Sequence, residues 1–326
     1  MKKALIASLC IALAVLLASC SFGAPAIYPN SEKYTAGNAS FTEKIEKIDV
    51  DWSNGELIII QADTDKVTLE EECTQSLSDE EKVHWMLDGT TLRVKFCKSG
   101  TMINPTAEKK LTVTVPKDPS LLSLDASCAS ASLSAALSGA DEINLSSASG
   151  EITAKLGGTD TVNMSSASGK IMTELSDTAA VSISSSSGAM SVVASQADSL
   201  SLSSASGEIE LNMAGEVSSL EIDSASGDVT VNGEAAKKAV LESSSGKISA
   251  SFEKTPDTLE IGTSSGDVSL TLPEDASFKA EIDTASGAFE CEFPTVRKGD
   301  TYICGDGKSE ISFDTASGDI NIYKAD

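Results

Sequence analysis

The sequence predicts an all-β solenoid, a single chain coiled at about 19–20 residues per turn, and three observations carry that prediction. Ser-Gly recurs nine times at a near-fixed pitch, with glycines at Gly150, Gly169, Gly188, Gly207, Gly227, Gly246, Gly266, Gly287 and Gly318. The successive spacings are 19, 19, 19, 20, 19, 20, 21 and 31 residues. Apolar residues alternate on both sides of each glycine, and no segment has the 3.6-residue apolar period of a long helix. A period near 20 with strand-like alternation marks stacked coils, each leaning only on its neighbours.

Taken in chain order, the first element is a leader. Met1-Lys2-Lys3 is followed by an apolar run from Ala4 to Leu17 and then by Leu17-Ala18-Ser19-Cys20. Charged, apolar and small-residue regions in that order read as a secretory signal over residues 1–19. The apolar run is short for a membrane span of about 20 residues. Leu-Ala-Ser-Cys resembles the bacterial lipobox, which implies cleavage before Cys20, acylation of that cysteine and stable two-chain anchoring in a membrane. Residues 20–40 have two prolines among small and polar residues without a period, and are expected to be a flexible tether reaching about 25 Å.

Residues 41–120 form an irregular N-terminal β region of the solenoid. Ile48 to Ile59 already shows the repeat in altered form, with Asn54-Gly55 where Ser-Gly stands later. Val67–Glu71, Thr91–Phe96 and Leu111–Val115 alternate as strands. The regular array occupies residues 121–326, with an insertion near 293–310.

Within the array, position matters more than composition. Counting each glycine as zero, positions −7 and −5 are apolar, as in Ile143/Leu145, Leu200/Leu202 and Leu220/Ile222. Position −3 is Ser or Thr in every copy, from Ser147 to Thr315, and position −2 is small. Positions +2 and +4 are apolar again, as in Ile209/Leu211 and Ile320/Ile322. Inward residues are thus odd before the glycine and even after it. Side-chain facing in a strand has period two, so the chain must turn a corner between −3 and +2. Glycine is expected there for the backbone freedom a corner demands. A degenerate copy places Ala131 nineteen residues before Gly150.

Repeated Ser-Ala-Ser-Gly-Asp/Glu-Ile/Val, preceded by a strand ending Val115-Pro116, resembles the bacterial β-strand-repeat family labelled "putative adhesin", a domain of unknown function. The resemblance covers most of residues 41–326. It implies a β-solenoid at the cell envelope, with relatives in Gram-positive envelope-stress systems, and it brings no catalytic motif.

The residues themselves argue against chemistry. A serine hydrolase needs a base beside its nucleophile; the chain has one histidine, His84, and no Gly-x-Ser-x-Gly elbow. The −3 serines instead recur once per coil, where hydroxyls can bond along the stack and to corner backbone groups. Acidic residues at −4 (Asp223, Glu242, Asp283, Asp314) and +1 (Glu151, Glu208, Asp228, Asp267, Asp319) invite a calcium reading, but the calcium β-roll nonapeptide is absent. Lys170 and Lys247 share the +1 position, so a mixed-charge solvated ladder fits better, and neither metal nor cofactor is expected.

Seven cysteines are present, none in C-x-x-C spacing. Cys291 and Cys304 flank the insertion and are the leading candidate disulfide; Cys73 with Cys97 is second, and Cys128 sits at an inward position as a small apolar group. The insertion gathers Arg297, Lys298 and Tyr302, and reads either as a site-like patch or as a hairpin covering the open last coil. Without residues 1–19 the chain carries 22 Lys+Arg against 49 Asp+Glu, a formal charge of −27. That excludes nucleic acid as a natural partner, since its binding requires a cationic footprint.

The sequence therefore points to an exported, non-enzymatic envelope lipoprotein, an adhesin or scaffold. Its expected partners are the membrane, through the lipid on Cys20, and a protein or glycan at the cell surface. The alternatives are an envelope-stress sensor acting on a membrane partner and a carbohydrate-active β-helix enzyme.

Overall fold

The computed structural model describes residues 27–101, 108–117 and 121–325. It is a β-solenoid of parallel coils with one short 3-10 turn, Ser31–Lys33. Among the described residues, no helix is long and apolar enough to cross a membrane. The chain divides into two compact units, Met1–Thr173 and Glu174–Asp326.

Each coil is a strand, a corner and a second strand, and the two strands join separate parallel ladders. In the first unit Glu142–Ser147 pairs with Ser123–Cys128 on one side and Thr161–Ser166 on the other. The strand after the corner, Ile152–Gly157, pairs with Ser132–Ser138. The register is set so that inward residues stack like on like: Leu124, Ile143 and Val162 in one column, Leu133 and Ile152 in another. All five are essentially buried, each contributing about 1.5–3 kcal/mol by leaving water. The parity change falls at the corner. Ile143, Leu145 and Ser147 point inward, Ser149 is exposed, and Gly150, Ile152 and Ala154 point inward again.

The second unit repeats this plan, from Thr178–Ser185 and Met190–Ala194 through Ala197–Ser204 to the long strands Ile209–Ser224 and Val229–Ser243. Each long strand runs through the loop that separates coils elsewhere; their mutual register shifts between Met213 and Glu216.

The stacking does not follow chain order at either end. In the first unit, Lys47–Trp52 lies between Ser123–Cys128 and Thr91–Lys95, and Glu56–Ala62 lies between Ser132–Ser138 and Lys109–Pro116. In the second unit, the final coil, Ser309–Thr315 with Ile320–Lys324, is inserted between Thr258–Leu272 and the earlier coil Phe278–Cys291. The physical reason is burial. Ile311, Phe313, Ile320 and Ile322 are all at least 98% buried, whereas Ile282, Phe289 and Cys291 are partly exposed. In the outer coil Phe278 and Ala280 are fully buried too, because the strand Thr301–Cys304 covers them.

Both ends carry antiparallel strands that cover the outermost coil, as open sheet edges require. At the N-terminal end His84–Asp88 pairs with Thr91–Lys95, and Val67–Cys73 pairs with Lys109–Pro116. Beyond these lie Thr35–Ala36 on His84–Trp85 and Ala39–Phe41 on Val67–Leu69. This corrects the tether expected over residues 20–40: its described part, residues 27–40, is docked. Tyr28 donates its hydroxyl to the Cys97 carbonyl at 2.8 Å, and its ring centroid lies 4.9 Å from that of Tyr34. Burying two tyrosine rings and pairing two strands outweighs the freedom that composition alone predicted. At the other end the insertion forms a hairpin, Val296–Lys298 with Thr301–Cys304, whose second strand pairs antiparallel with Phe278–Glu281.

Candidate functional site

The Ser-Gly corners are places of close approach between coils. None of the nine repeat glycines has a left-handed φ, so the backbone freedom expected of them is not what they supply. A Cβ on Gly207 would stand 2.1 Å from the Gly188 carbonyl oxygen, and one on Gly150 would stand 1.8 Å from that of Ala131. Gly169, Gly227, Gly246, Gly266, Gly318 and Gly287 are equally crowded, each at 1.9–2.1 Å from the carbonyl of the coil beneath. Glycine is required for space. Among the −3 hydroxyls, Ser243, Thr263, Thr284 and Thr315 each accept from the glycine N–H at 2.9–3.0 Å and Ser224 donates to the Gly227 carbonyl at 2.7 Å, whereas those of Ser147, Ser166, Ser185 and Ser204 are buried without a hydrogen-bond partner. Between coils the backbone provides the ladder, as in Ser206 N–H to Ser186 O at 3.0 Å.

The five described cysteines are free thiols. Cys291 donates to the Phe293 carbonyl at 3.9 Å and Cys304 to the Ala276 carbonyl at 3.4 Å, so the disulfide expected between them is not formed. Each sulfur is directed at a backbone carbonyl of its own surroundings. Cys73 and Cys97 are also unbonded, and burial pushes the Cys128 thiol up to about 12. The insertion is a structural cover: Phe293 packs edge-on against Phe278 at 5.3 Å, and Phe289 packs against Tyr302 at 4.6 Å. Cys20, the expected lipid attachment point, lies outside the described residues.

The acidic columns are set by register. At −4, Asp223 faces Glu242, and Asp314 faces Asp283. Burial first, then the Glu242 and Glu221 charges, raise the Asp223 carboxyl to about 6. At +1 the carboxylates accept from the next coil: Lys247 N–H to Asp228 at 2.8 Å, Asp319 N–H to Asp267 at 3.0 Å and Ala288 N–H to Asp319 at 2.8 Å. Among the described residues, no group of three or more His, Cys, Asp and Glu is arranged to hold a metal ion.

A buried ion pair fastens the N-terminal cap. Lys109, fully buried, meets the Glu71 carboxylate at 2.7 Å and donates to the carbonyls of Glu81, at 2.7 Å, and Phe96. Its ammonium lies 4.1 Å from the Phe96 ring centroid and 5.0 Å from that of Trp52. Glu71 also accepts the Val83 N–H at 2.9 Å. Burial lowers the lysine pKa, opposed by the Glu71 charge. His84 is buried in the same cap, with Nδ1 2.9 Å from the Lys82 carbonyl.

The most site-like arrangement in the first unit is one the sequence did not single out. On the outward face of the ladder before the corner, register aligns two polar rows. One runs Arg93, Asp49, Asp125, Asn144, Asn163, and the other Lys95, Asp51, Ser127, Ser146, Ser165. Five strands at about 4.8 Å spacing make each row about 19 Å long. The side chains bind one another. Arg93 pairs with Asp49 at 2.8 Å, Lys95 and Ser127 both bond Asp51, Asn144 donates to Asp125 at 2.7 Å and Asn163 donates to Asn144 at 2.9 Å. A shallow depression of about 210 Å3 opens among Asp49, Asp51, Asp125 and Asn144. The half-buried Tyr34, one residue before the edge strand Thr35–Ala36, stands close enough for Lys95, Arg93, Asp49 and Asp51 to influence its hydroxyl, whose pKa burial raises.

The alternating sequences Ile48-Asp49-Val50-Asp51 and Leu92-Arg93-Val94-Lys95 announce outward charges at period two. Their pairing was hidden, because it depends on Lys47–Trp52 stacking between two segments that follow it in the chain.

Parallel coils crowded at glycine corners, closed by antiparallel caps and bearing a polar outer face define the class: a β-solenoid scaffold. The chain belongs to the Toastrack DUF4097 family, whose model matches residues 45–240 and 220–323. A solved "putative cell adhesion protein from Clostridium sporogenes ATCC 15579" is 10% identical, covering 89% of this chain and 100% of that one with a TM-score of 0.17. At that TM-score the likeness bears on neither fold nor function. No curated protein matches the chain.

Proposed function

We propose that this protein is a non-enzymatic envelope module, anchored through a lipid on Cys20, that binds or scaffolds at the cell surface through the outer face of its solenoid. The observation that carries it is the ten-residue polar face, whose charges are held by cross-strand partners and laid out flat. A flat, repetitive, hydrogen-bonding face suits an extended partner better than it suits a reacting small molecule, for which convergent groups in a cleft are the usual arrangement. The corner hydroxyls that might suggest serine chemistry are buried at the turn in eight of the nine copies, and the chain's one histidine, His84, lies in the N-terminal cap.

Cell fractionation combined with surface labelling tests the anchor and the location. The wild-type chain is expected in the membrane fraction and open to impermeant reagents on intact cells, and Cys20→Ala is expected in the medium or soluble fraction. An unchanged membrane partition for Cys20→Ala would remove the lipid anchor. Turnover of glycan, peptide or ester substrates by the purified chain, abolished by a point substitution, would remove the non-enzymatic assignment.

A further inference from the structure

We propose that the outer face of the first unit binds a neutral glycan strand, laid across the rows that begin at Arg93 and Lys95 and end at Asn163 and Ser165. This names the ligand of the surface module proposed above and rests on that assignment. A sugar hydroxyl both donates and accepts, so it needs a surface that offers both along its length. The face does so along its rows: Arg93, Lys95 and the second amide hydrogen of Asn163 donate, Asp49, Asp51 and Asp125 accept, and the Ser127 and Ser146 hydroxyls do either.

Three further features favour this occupant. The groups are pre-ordered by their bonds to one another, so little side-chain freedom remains to be lost on binding. The groups recur with each strand over about 19 Å, which matches a polymer with a short repeat. Tyr34, half-buried and packed on Tyr28 at 4.9 Å, precedes the Thr35–Ala36 strand, which is separated from Thr91–Lys95 by the strand His84–Asp88, and forms a rigid ring past the end of the rows against which the C–H face of a sugar can lie. The partner's charge follows from Asp49, Asp51, Asp125 and Glu142, which outnumber Arg93 and Lys95 and disfavour a polyanion. An apolar peptide has nothing to bury here, and an extended strand has no edge to join, since every backbone group of the inner strands is already in a ladder.

The test is calorimetric titration of the full mature chain, made soluble by Cys20→Ala. The probes are hexamers and dimers of β-1,4-linked N-acetylglucosamine and of β-1,4-linked glucose, with an oligogalacturonate hexamer as the anionic control. At least one neutral hexamer is expected to bind, at least tenfold more tightly than its dimer. Asn144→Ala and Tyr34→Ala are each expected to weaken it about tenfold, whereas Arg297→Ala on the C-terminal hairpin leaves it unchanged. Thermal melts show whether each variant is folded; if Asn144→Ala is not, Asn163→Ala takes its place with the same expectation. Failure of both neutral hexamers to bind overturns the proposal. So does binding that survives both substitutions, or preference for the anionic hexamer. A peptide that binds this face while both sugars fail would overturn it as well. The fractionation experiment is read separately: a surface-exposed chain that binds no sugar loses the ligand class but keeps the module, and a chain absent from the surface loses the module whatever the sugars do.

Discussion

At Gly207 the constraint is space, and it separates two kinds of glycine in this chain. A Cβ there would lie 2.1 Å from the Gly188 carbonyl oxygen, and only backbone movement in two coils could relieve it. Gly207→Ala is therefore expected to cost about 3 kcal/mol or more, lowering the melting temperature by roughly 6–12 °C. Gly262 supplies the contrast: its added Cβ meets nothing closer than the Glu242 Cγ at 3.7 Å, and Gly262→Ala should be near neutral in the same melt. Ser-Gly at fixed pitch was enough to locate the corners, but not to say why glycine stands there, because contact with the next coil is invisible in a single repeat. Asp223 makes a second residue-scale prediction. Its folded pKa is raised to about 6 from the ordinary 3.8, so the folded state binds the proton more readily than the unfolded one. The penalty is fully present above about pH 6 and is relieved as pH falls toward 3.8. Asp223→Asn should stabilise the protein at pH 7, and that advantage should shrink on titration to pH 4 in paired urea melts. An advantage that does not change with pH would contradict the assignment.

Elements at the two ends depend on interactions of longer range. Glu71 is the only carboxylate in ion-pair contact with the fully buried Lys109 among the described residues, so Glu71→Gln leaves a buried charge unpaired. Such losses cost about 3–5 kcal/mol, whereas replacing a buried pair with apolar groups of similar size is often neutral. Denaturant melts should show Glu71→Gln strongly destabilised and Lys109→Met/Glu71→Gln recovering most of the loss. The inverted coil order at the C-terminal end has its own test. Gly262 is register partner to Asp314, so Gly262→Cys/Asp314→Cys should form a disulfide without loss of structure. Stacking in chain order would instead put Asp283 beside Gly262, and Gly262→Cys/Asp283→Cys would then cross-link. Peptide mapping after mild oxidation distinguishes them. Nothing local could reveal this order, since Asp-Thr-Ala-Ser-Gly occurs in both competing coils, at Asp283–Gly287 and Asp314–Gly318. The choice is made by the burial of Ile311, Phe313, Ile320 and Ile322 and by the Asp319 carboxylate, which receives the Ala288 N–H; Ala288 has no side-chain acceptor to offer a further coil.

For the whole molecule, the sequence settled the class of fold because solenoids are written one repeat at a time: pitch, alternation and parity are all local. Its caps and its polar face are not local. Asp49, Arg93 and Asp125 are scattered over residues 49–125, and they meet only because the first coil is stacked between two later ones. The strands over residues 35–41 escaped notice because two or three residues carry no period, and their stability comes from Phe41 packing edge-on to Trp85 at 4.9 Å. With a formal charge of −25, the chain as a whole resists polyanions. The account's central claim is that the first unit's outer face is the binding surface. Amide and side-chain NMR shifts during titration with the neutral hexamer that binds most tightly test it most directly. The predicted result is a contiguous set of changes at Tyr34, Arg93, Asp49, Asp125 and Asn144, with the strands around Gly246 and Gly266 unaffected. Changes confined to the second unit, or to the Val296–Cys304 hairpin, would contradict it.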